Sequence, residues 1–306
     1  AGYVFHALNG GSIGSGGPVS LTASGANTAA ARAESAGTLI FAAGDITTSG
    51  ASAVGLSVAT GGRIELQADA GGQGTRVATS GRGSTAAQVD SGTLVMGNAT
   101  LETTGSGSHG LVATGTAQVE MVGGRIQTSG DRSHAVMADN AVVTLRDARI
   151  QTGASYSDGL YALNGGRIEG DNVQVSTAAD GSAGARVAGG ATLSLINSDL
   201  HVAGEYAMGV ELSGGTLRIE NSALRSDHER GDGVYLRANS RADIIGTTIT
   251  AGGYGINING DGSDVRLSDV EITANRRNGI WMPRASALTM LRGSITTSGD
   301  GGVGID

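Results

Sequence analysis

The chain has 306 residues, of which 54 are Gly, two are Pro and none is Cys, and its formal net charge is −8. A Gly content of about 18% exceeds the average of about 7%, yet 39% of the residues are apolar, which argues against collagen and against a disordered linker. The composition also excludes disulfides and Cys-ligated metals, offers no general attraction to nucleic acid, and contains no apolar run long enough for a membrane-spanning helix.

Pairs of apolar residues, two positions apart, recur along the chain at intervals of about 25 residues. The first members of these pairs are, in chain order, Leu39, Ile64, Leu94, Val119, Val143, Ile168, Leu193, Leu217, Ala242, Val265 and Leu288. A similar pair precedes each of them, such as Leu56 and Val58, and a single Ile, Leu or Val follows seven residues after most of them, such as Ile126. After Ile64 this third element is displaced, and we expect it to restart at Val77.

Alternation with period two predicts three short strands in each repeat. Because the joining segments are short and rich in Gly, Asn and Ser, the strands fit neither a helical repeat nor a propeller blade. The predicted fold class is therefore all-β: a right-handed parallel β-helix of about twelve coils, with the right hand expected from the crossover rule. Inward residues would stack in ladders from one coil to the next.

The bend between the second and third strands is predicted from residue type alone. Four residues after the first member of the pair stand Asn98, Gly123, Asp147, Asn172, Asn197, Asn221, Gly246 and Asp269. Gly, Asn and Asp tolerate a positive φ, so one left-handed residue is expected to make each bend. A second set of glycines precedes the first strands, at Gly55, Gly110, Gly159, Gly233, Gly255 and Gly279.

No composition change interrupts the repeats, so residues 1–306 are predicted to form a single β-helix domain. The chain starts inside a strand-like segment, has no signal peptide, and ends at what looks like the opening of another coil. Open ends of a β-helix are unpaired edges that normally need caps. We therefore expect the chain to be a piece of a longer protein.

The repeated coils, such as residues 92–105 and 189–204, resemble the passenger domains of bacterial autotransporters, in particular the pertactin-like group. The resemblance covers the whole chain as a pattern rather than a signature motif. It implies export across the outer membrane by a C-terminal β-barrel, which lies outside residues 1–306, and display on the cell surface or in the extracellular space. It also implies a role as adhesin, autoaggregation factor or serum-resistance factor. The absence of Cys agrees with passage in an unfolded state.

The first candidate binding site is the triplet Arg230, Gly231 and Asp232, predicted to lie on a loop between a third strand and the next first strand. An exposed triplet would present a cation and a carboxylate to an integrin-like receptor. Against this, Asp-Gly also precedes a first strand at Asp158 and Gly159, so half of the triplet has a structural explanation.

The second candidate is the outward face of the first strands. The residues between the inward pairs form a predicted stripe of Arg32, Ser57, Gln88, Val112, Val136, Tyr161, Arg186, Glu211, Tyr235, Asn257 and Trp281. Exposed aromatic and Arg side chains are enriched at interfaces, so Tyr161, Tyr235 and Trp281 are candidate binding residues with Arg186 and Glu211. Flat aromatic rings also stack on sugars, so a carbohydrate is an alternative partner to a protein. The competing explanation is that outward aromatic residues are good strand formers that pack on neighbouring rungs.

Catalysis on this stripe is the third possibility, because glycoside hydrolysis usually needs two carboxylates about 5–9.5 Å apart. Glu211 is the single carboxylate predicted on the stripe, so we expect no enzyme, and a second carboxylate or bound calcium within about 10 Å would favour one. The five His residues lack metal-ligand spacing, although His109 and His134 occupy equivalent places one coil apart and could stack. No cofactor and no metal is predicted.

The sequence thus favours a surface-displayed bacterial adhesin or virulence factor that binds a host receptor or matrix protein through loops and one strand face. The first alternative is a carbohydrate-active β-helix protein, such as a polysaccharide lyase or a tailspike-like depolymerase. The second is an autoaggregation or biofilm factor that self-associates through ladders of Ser, Thr and Asn. A strict monomer in analytical ultracentrifugation would count against the second alternative.

Overall fold

The computed structural model describes residues 2–306, which form a right-handed parallel β-helix of twelve coils with no α-helix among the described residues. The predicted fold class, coil number and repeat length are confirmed. Contacts between residues group the chain into two compact units, Ala1–Ala154 and Ser155–Asp306, with six coils in each. A single domain over residues 1–306 stays a prediction.

Each coil of the first unit has three strands. The first strands are β1 (Tyr3–Ala7), β4 (Ala29–Glu34), β7 (Val54–Ala59), β10 (Ala87–Asp90), β13 (Leu111–Thr114) and β16 (Val136–Asp139). The second strands are β2 (Ser12–Gly14), β5 (Thr38–Ala42), β8 (Arg63–Gln67), β11 (Thr93–Gly97), β14 (Gln118–Val122) and β17 (Val142–Arg146). The third strands are β3 (Val19–Ala23), β6 (Gly44–Thr48), β9 (Thr75–Thr79), β12 (Thr100–Thr103), β15 (Arg125–Thr128) and β18 (Arg149–Thr152).

The second unit repeats this plan. Its first strands are β19 (Leu160–Leu163), β22 (Ala185–Ala188), β25 (Val210–Ser213), β28 (Val234–Leu236), β31 (Ile256–Ile258) and β33 (Ile280–Trp281). Second strands are β20 (Arg167–Asp171), β23 (Thr192–Ile196), β26 (Thr216–Glu220) and β29 (Arg241–Ile245), and third strands are β21 (Gln174–Thr177), β24 (Asp199–Val202), β27 (Ala223–Ser226) and β30 (Thr248–Ala251). In the last two coils the second and third strands run together as β32 (Asp264–Ala274) and β34 (Ala287–Thr297).

Strands pair in parallel with their equivalents in the next coil, so identical positions stack. In the first unit Leu94 pairs with Val119 and Val119 with Val143, and in the second Leu193 pairs with Leu217. All of these side chains are buried, which makes the predicted ladders the core of each unit. The displaced third strand of the Ile64 coil restarts as predicted, since Val77 pairs with Ile46 and Leu101.

The bend between second and third strands also follows the prediction, because all eight candidate residues have φ between 49° and 70°. The glycines before the first strands are required for a different reason. Gly110 does not adopt a positive φ, but a Cβ there would meet the carbonyl oxygen of Ala135 at 2.6 Å and Cγ2 of Ile126 at 2.4 Å. Close packing against the next coil at Ala135 and against Ile126 of the same coil, rather than a turn, therefore requires Gly at this position.

One feature of the corners was not predicted from the sequence. Buried Ser side chains pass hydrogen bonds from coil to coil: the backbone N–H of Ser84 donates to Oγ of Ser108 over 3.0 Å, and that of Ser108 to Oγ of Ser133 over 2.9 Å. The hydroxyls of Thr103 and Thr128 donate to the carbonyls of Ser108 and Ser133, each over 2.7 Å. These bonds satisfy backbone groups that the corners would otherwise leave buried without partners.

The outward stripe needs one correction in the first unit. Val136 is fully buried, and Met137 is the outward residue that pairs with Val112. The prediction was wrong because Val136 and Met137 are both apolar, so alternation alone does not decide which of them faces the core.

Candidate functional site

The first strands of the second unit bring the predicted stripe residues onto consecutive rungs. Their register pairs Tyr161 with Arg186, Arg186 with Glu211, Glu211 with Tyr235, Tyr235 with Asn257, and Asn257 with Trp281. Neighbouring rungs are about 4.8 Å apart, so the side chains of successive coils contact one another. The predicted alignment is confirmed, whereas a binding role for these residues stays a prediction.

Glu211 is not the exposed carboxylate that the sequence suggested, because only 8% of the residue is accessible. Its Oε2 forms an ion pair with Nη1 of Arg186, and its Oε1 accepts a hydrogen bond from Nε of Arg237 over 2.9 Å. Nε of Arg186 also donates to Oδ2 of Asp158 over 2.8 Å. Burial alone would lower the pKa of Arg186, but the carboxylates of Asp158 and Glu211 outweigh it and raise this pKa.

Asp158 is a second carboxylate at this site, and the sequence analysis had given the Asp-Gly pair to which it belongs a structural explanation. It lies three residues before Tyr161, and its buried side chain reaches the Arg186 rung of the next coil. The sequence did contain a signal for this ion pair, because the acidic residue Asp158 precedes the basic stripe residue Arg186 by about one repeat. The carboxylates of Asp158 and Glu211 both bind the guanidinium of Arg186, so they lie within the distance of about 10 Å that would favour an enzyme. Both, however, are engaged in ion pairs with arginine.

Two exposed tyrosines missed by the sequence analysis rise from the loops that precede the first strands. Tyr156 and Tyr206 are 62% and 54% exposed, and both have a φ of 55°. A left-handed backbone is uncommon for a bulky residue, and most other coils place Gly, Asn, Ser or Arg here. The guanidinium of Arg230 lies 5.3 Å from the centroid of the Tyr206 ring and donates to its hydroxyl, which fixes the ring.

A cleft of about 150 Å³ opens between Tyr206 and Tyr235. Its lining consists of Gly181, Ser182, Ala183, Arg186, Tyr206, Met208, Glu211, Tyr235 and Arg237. The small residues Gly181, Ser182 and Ala183 leave space beside the larger side chains of the two following coils. The guanidinium of Arg237 lies 5.3 Å from the centroid of the Tyr235 ring, so the cleft has aromatic walls and a charged floor.

The triplet does not present its carboxylate as predicted. Arg230 is exposed, but Gly231 is buried and Asp232 is 6% exposed. Oδ2 of Asp232 accepts a hydrogen bond from Nδ2 of Asn257 over 2.7 Å, and Oδ1 accepts one from the backbone N–H of Tyr254 over 3.0 Å. Burial raises the pKa of Asp232 more than these bonds lower it. The expectation of an exposed carboxylate was wrong because this residue fixes the next coil.

Trp281, the last residue of the stripe, stacks on Tyr254 with ring centroids 5.0 Å apart and an interplanar angle of 8°. The guanidinium of Arg277 lies 5.0 Å from the centroid of the Tyr254 ring. The loops and first strands of the second unit therefore carry a set that we name the aromatic–arginine face: Tyr156, Tyr161, Arg186, Tyr206, Arg230, Tyr235, Arg237, Tyr254, Arg277 and Trp281.

The two histidines that the sequence placed one coil apart do stack. The rings of His109 and His134 are nearly parallel, with centroids 5.3 Å apart, and Nδ1 of His109 accepts a hydrogen bond from the backbone N–H of His134 over 3.1 Å. Burial, with His134 beside it, lowers the pKa of His109 to about 4. Within residues 2–306 no three His, Cys, Asp or Glu side chains are grouped to hold a metal.

None of the described residues belongs to a helix that could cross a membrane. A family model described as a right-handed β-helix region matches residues 183–306. No curated protein sequence matches the chain.

Solved structures with the same fold include a chain of the Vag8–C1 inhibitor complex determined by cryo-EM. It has a TM-score of 0.59 and 18% identity, and the match covers 96% of this chain and 77% of that one. The A-module of the mannuronan C-5 epimerase AlgE4 of Azotobacter vinelandii matches with a TM-score of 0.50 and 12% identity, covering 88% of each chain. At these identities the likeness shows a shared β-helix fold.

Proposed function

We propose that the chain is a passenger-type β-helix of the pertactin-like autotransporter class, displayed on the surface of a bacterium after export across the outer membrane, and that it binds a host partner. Its binding surface is the aromatic–arginine face of residues 155–306. The mechanism is presentation: the stacked ladders hold the coils rigid, so the outward side chains keep fixed positions.

One observation carries this proposal. Six of the nine aromatic residues of the chain lie in residues 155–306, and none of the six is buried in the core. Aromatic side chains are the largest apolar groups available to a core, yet here Leu, Ile and Val fill it instead. Aromatic and Arg side chains that lie together on a surface are typical of interface hot spots, which are enriched in Trp, Tyr and Arg.

The fold is compatible with binding to a protein. Vag8, which shares the β-helix fold at 18% identity, forms a complex with C1 inhibitor. That complex is an example of a β-helix that binds a protein partner. Binding in this class of scaffold needs no catalytic group, which agrees with the paired state of Asp158, Arg186 and Glu211.

The test is binding of the purified 306-residue chain to cultured host cells. A variant carrying Tyr156→Ser, Tyr206→Ser, Tyr235→Ser and Trp281→Ser is expected to lose at least about tenfold in affinity, because hot-spot residues cost more than about 1 kcal/mol each when truncated. The control carries Arg125→Ser and Arg146→Ser, which remove exposed side chains from the other strands. Equal binding by both variants would refute the assignment of the face.

The Arg230, Gly231 and Asp232 triplet is tested in the same assay by Asp232→Asn. This substitution removes the negative charge that an integrin-like receptor would need and keeps the size of the buried side chain. We expect unchanged binding, because the Asp232 carboxylate is turned to Asn257 and Tyr254 rather than to solvent.

A carbohydrate-active enzyme is the second candidate, and the pair of carboxylates at Arg186 favours it. AlgE4 has the same fold at 12% identity. Incubation of the chain with uronate polysaccharides, followed by NMR of the sugar signals, tests the candidate. New signals that disappear in Glu211→Gln would establish it, whereas an unchanged spectrum supports a binding protein.

A further inference from the structure

We propose that the cleft between Tyr206 and Tyr235 holds one neutral pyranose ring, so that the partner of the aromatic–arginine face is a glycan. This rests on the binding function proposed above and names the chemistry of the ligand. The sugar could belong to a host glycoprotein or to a free polysaccharide, and both present the same ring to the cleft.

The size of the cleft limits what it can hold. Its volume of about 150 Å³ is smaller than the roughly 300–1,000 Å³ of pockets for drug-sized ligands. A nucleotide or a large cofactor would not fit, whereas one six-membered ring would. The cleft is open to solvent beside Tyr206, so the ring could be one unit of a longer chain.

The walls suit a ring with both apolar and polar sides. Tyr206 offers an exposed aromatic surface whose orientation is fixed by the hydrogen bond from Arg230, and Met208 adds an apolar patch beside it. The C–H faces of a pyranose are apolar and pack against such surfaces. A ring held in place before binding loses little conformational entropy when the ligand arrives.

The floor supplies directional hydrogen bonds at the same spot. Each oxygen of Glu211 already accepts one bond from an arginine and keeps a lone pair, while the Nη groups of Arg237 have no partner within the described residues. The carboxylate of Glu211 can accept a hydrogen bond from one sugar hydroxyl, and the guanidinium of Arg237 beside it can donate one to the neighbouring hydroxyl oxygen. Hydrogen bonds to charged groups are the stronger class.

The charges of the site favour a neutral ligand. At the floor, the carboxylates of Asp158 and Glu211 balance the guanidinium groups of Arg186 and Arg237, and on the wall Glu205 forms an ion pair with Arg230 over 3.0 Å. An acidic sugar would bring an additional negative charge close to Glu211 without a cation in excess. Uronate and sialate are therefore expected to bind more weakly than uncharged hexoses.

The experiment uses the 306-residue chain on a printed panel of neutral and acidic glycans, followed by saturation-transfer NMR with methyl glycosides of the neutral sugars that bind. Tyr206→Ala is expected to weaken affinity about tenfold through loss of the stacking surface. Tyr3→Ala is the matched control, since Tyr3 is also an exposed tyrosine with an arginine guanidinium 5.5 Å from its ring centroid, but it lies outside the cleft and outside the aromatic–arginine face. Its affinity should stay within about twofold of the parent chain.

The proposal is overturned if no neutral glycan binds, if acidic glycans bind better, or if both tyrosine variants lose affinity equally. A second arm separates it from the proposed function. If no glycan of the panel binds, while host-cell binding depends on the aromatic–arginine face and survives enzymatic removal of cell-surface glycans, the binding function stands and the sugar site is refuted. Loss of cell binding after that treatment assigns the glycan to a host glycoprotein. If the chain binds a neutral glycan of the panel but its cell binding does not change on that treatment, the glycan belongs to a free polysaccharide.

Discussion

Asp232 belongs to a triplet that a motif search would assign to receptor recognition, but its carboxylate is buried. Its carboxylate has two hydrogen-bond donors, while Oδ1 of Asn257 beside it is buried without a partner in the described part of the chain. Desolvation of the charge outweighs the bonds and raises the pKa of Asp232. The ionised carboxylate is therefore less stable in the folded state than in the unfolded chain.

We expect Asp232→Asn to raise the free energy of unfolding by about 1 kcal/mol at pH 7. The new amide can accept from the Tyr254 N–H and donate to Asn257 after that side chain flips. Because the folded pKa is raised, the gain is present when the carboxylate is ionised and disappears as the pH falls below the unfolded pKa of about 3.9. Urea unfolding at pH 7 and pH 3 measures it, and a loss of stability at pH 7 would contradict the argument.

The His109 side chain provides a pH-dependent term of opposite sign. Its pKa is about 4 in the folded chain against an ordinary 6.5, chiefly because the ring is buried. The stabilisation of the neutral ring is complete above pH 6.5 and decreases as the pH falls toward 4, since the unfolded chain then binds the proton more readily.

The stability of the chain should accordingly fall by about 1–2 kcal/mol between pH 7 and pH 5. His109→Asn keeps an acceptor near Nδ1 but cannot be protonated, so it should remove most of this loss. Denaturant midpoints of the parent chain and the variant at the two pH values provide the comparison. Identical slopes for both chains would show that other groups are responsible.

At the scale of the strand, periodicity predicted the core but not the polar features. Leu94, Val119 and Val143 occupy the same period-two position in three successive coils, and a one-residue error would move them to solvent. The Ser108 ladder and the position of the Tyr206 ring depend on contacts with the next coil, about 25 residues away. Local residue preferences do not contain that information. Val136 was misplaced because apolar neighbours weaken the alternation.

The glycines test the difference between close approach and turn conformation. Gly110→Ala should cost about 2–3 kcal/mol or more, because a methyl group would overlap the backbone of the next coil and the Ile126 side chain of the same coil. Gly61 has a φ of 73° with no atom within 4 Å of an added Cβ, so Gly61→Ala should cost about 1–2 kcal/mol and Gly61→Asn less. Thermal unfolding of the three variants tests the order. A Gly110→Ala variant as stable as Gly61→Asn would show that the coils can separate at low cost.

At the scale of the whole molecule, much of the stability comes from repeated contacts between neighbouring coils, since strands pair with their equivalents in the next coil. Composition alone indicated this, because a chain with 3% aromatic residues and 39% apolar residues must build its core from many medium-sized side chains. In repeat proteins the free energy of unfolding is close to the sum of the stabilities of the single repeats and of the interfaces between neighbouring repeats. The effect of a core substitution should therefore depend on how many coils flank it.

Leu217 and Leu288 occupy the same ladder of the second unit and make the comparison possible. Leu217 is fully buried between Leu193 and Ala242, whereas the half-buried Leu288 pairs with Val265 on one side. Leu217→Ala should cost about 2–5 kcal/mol, and Leu288→Ala less than about half of that, because the smaller cavity is already partly open to water. Thr216→Ala, on the outward side of β26, is the control and should change little. Urea midpoints at constant m-value give the three costs, and equal losses at Leu217 and Leu288 would show that the coils do not contribute as independent neighbours.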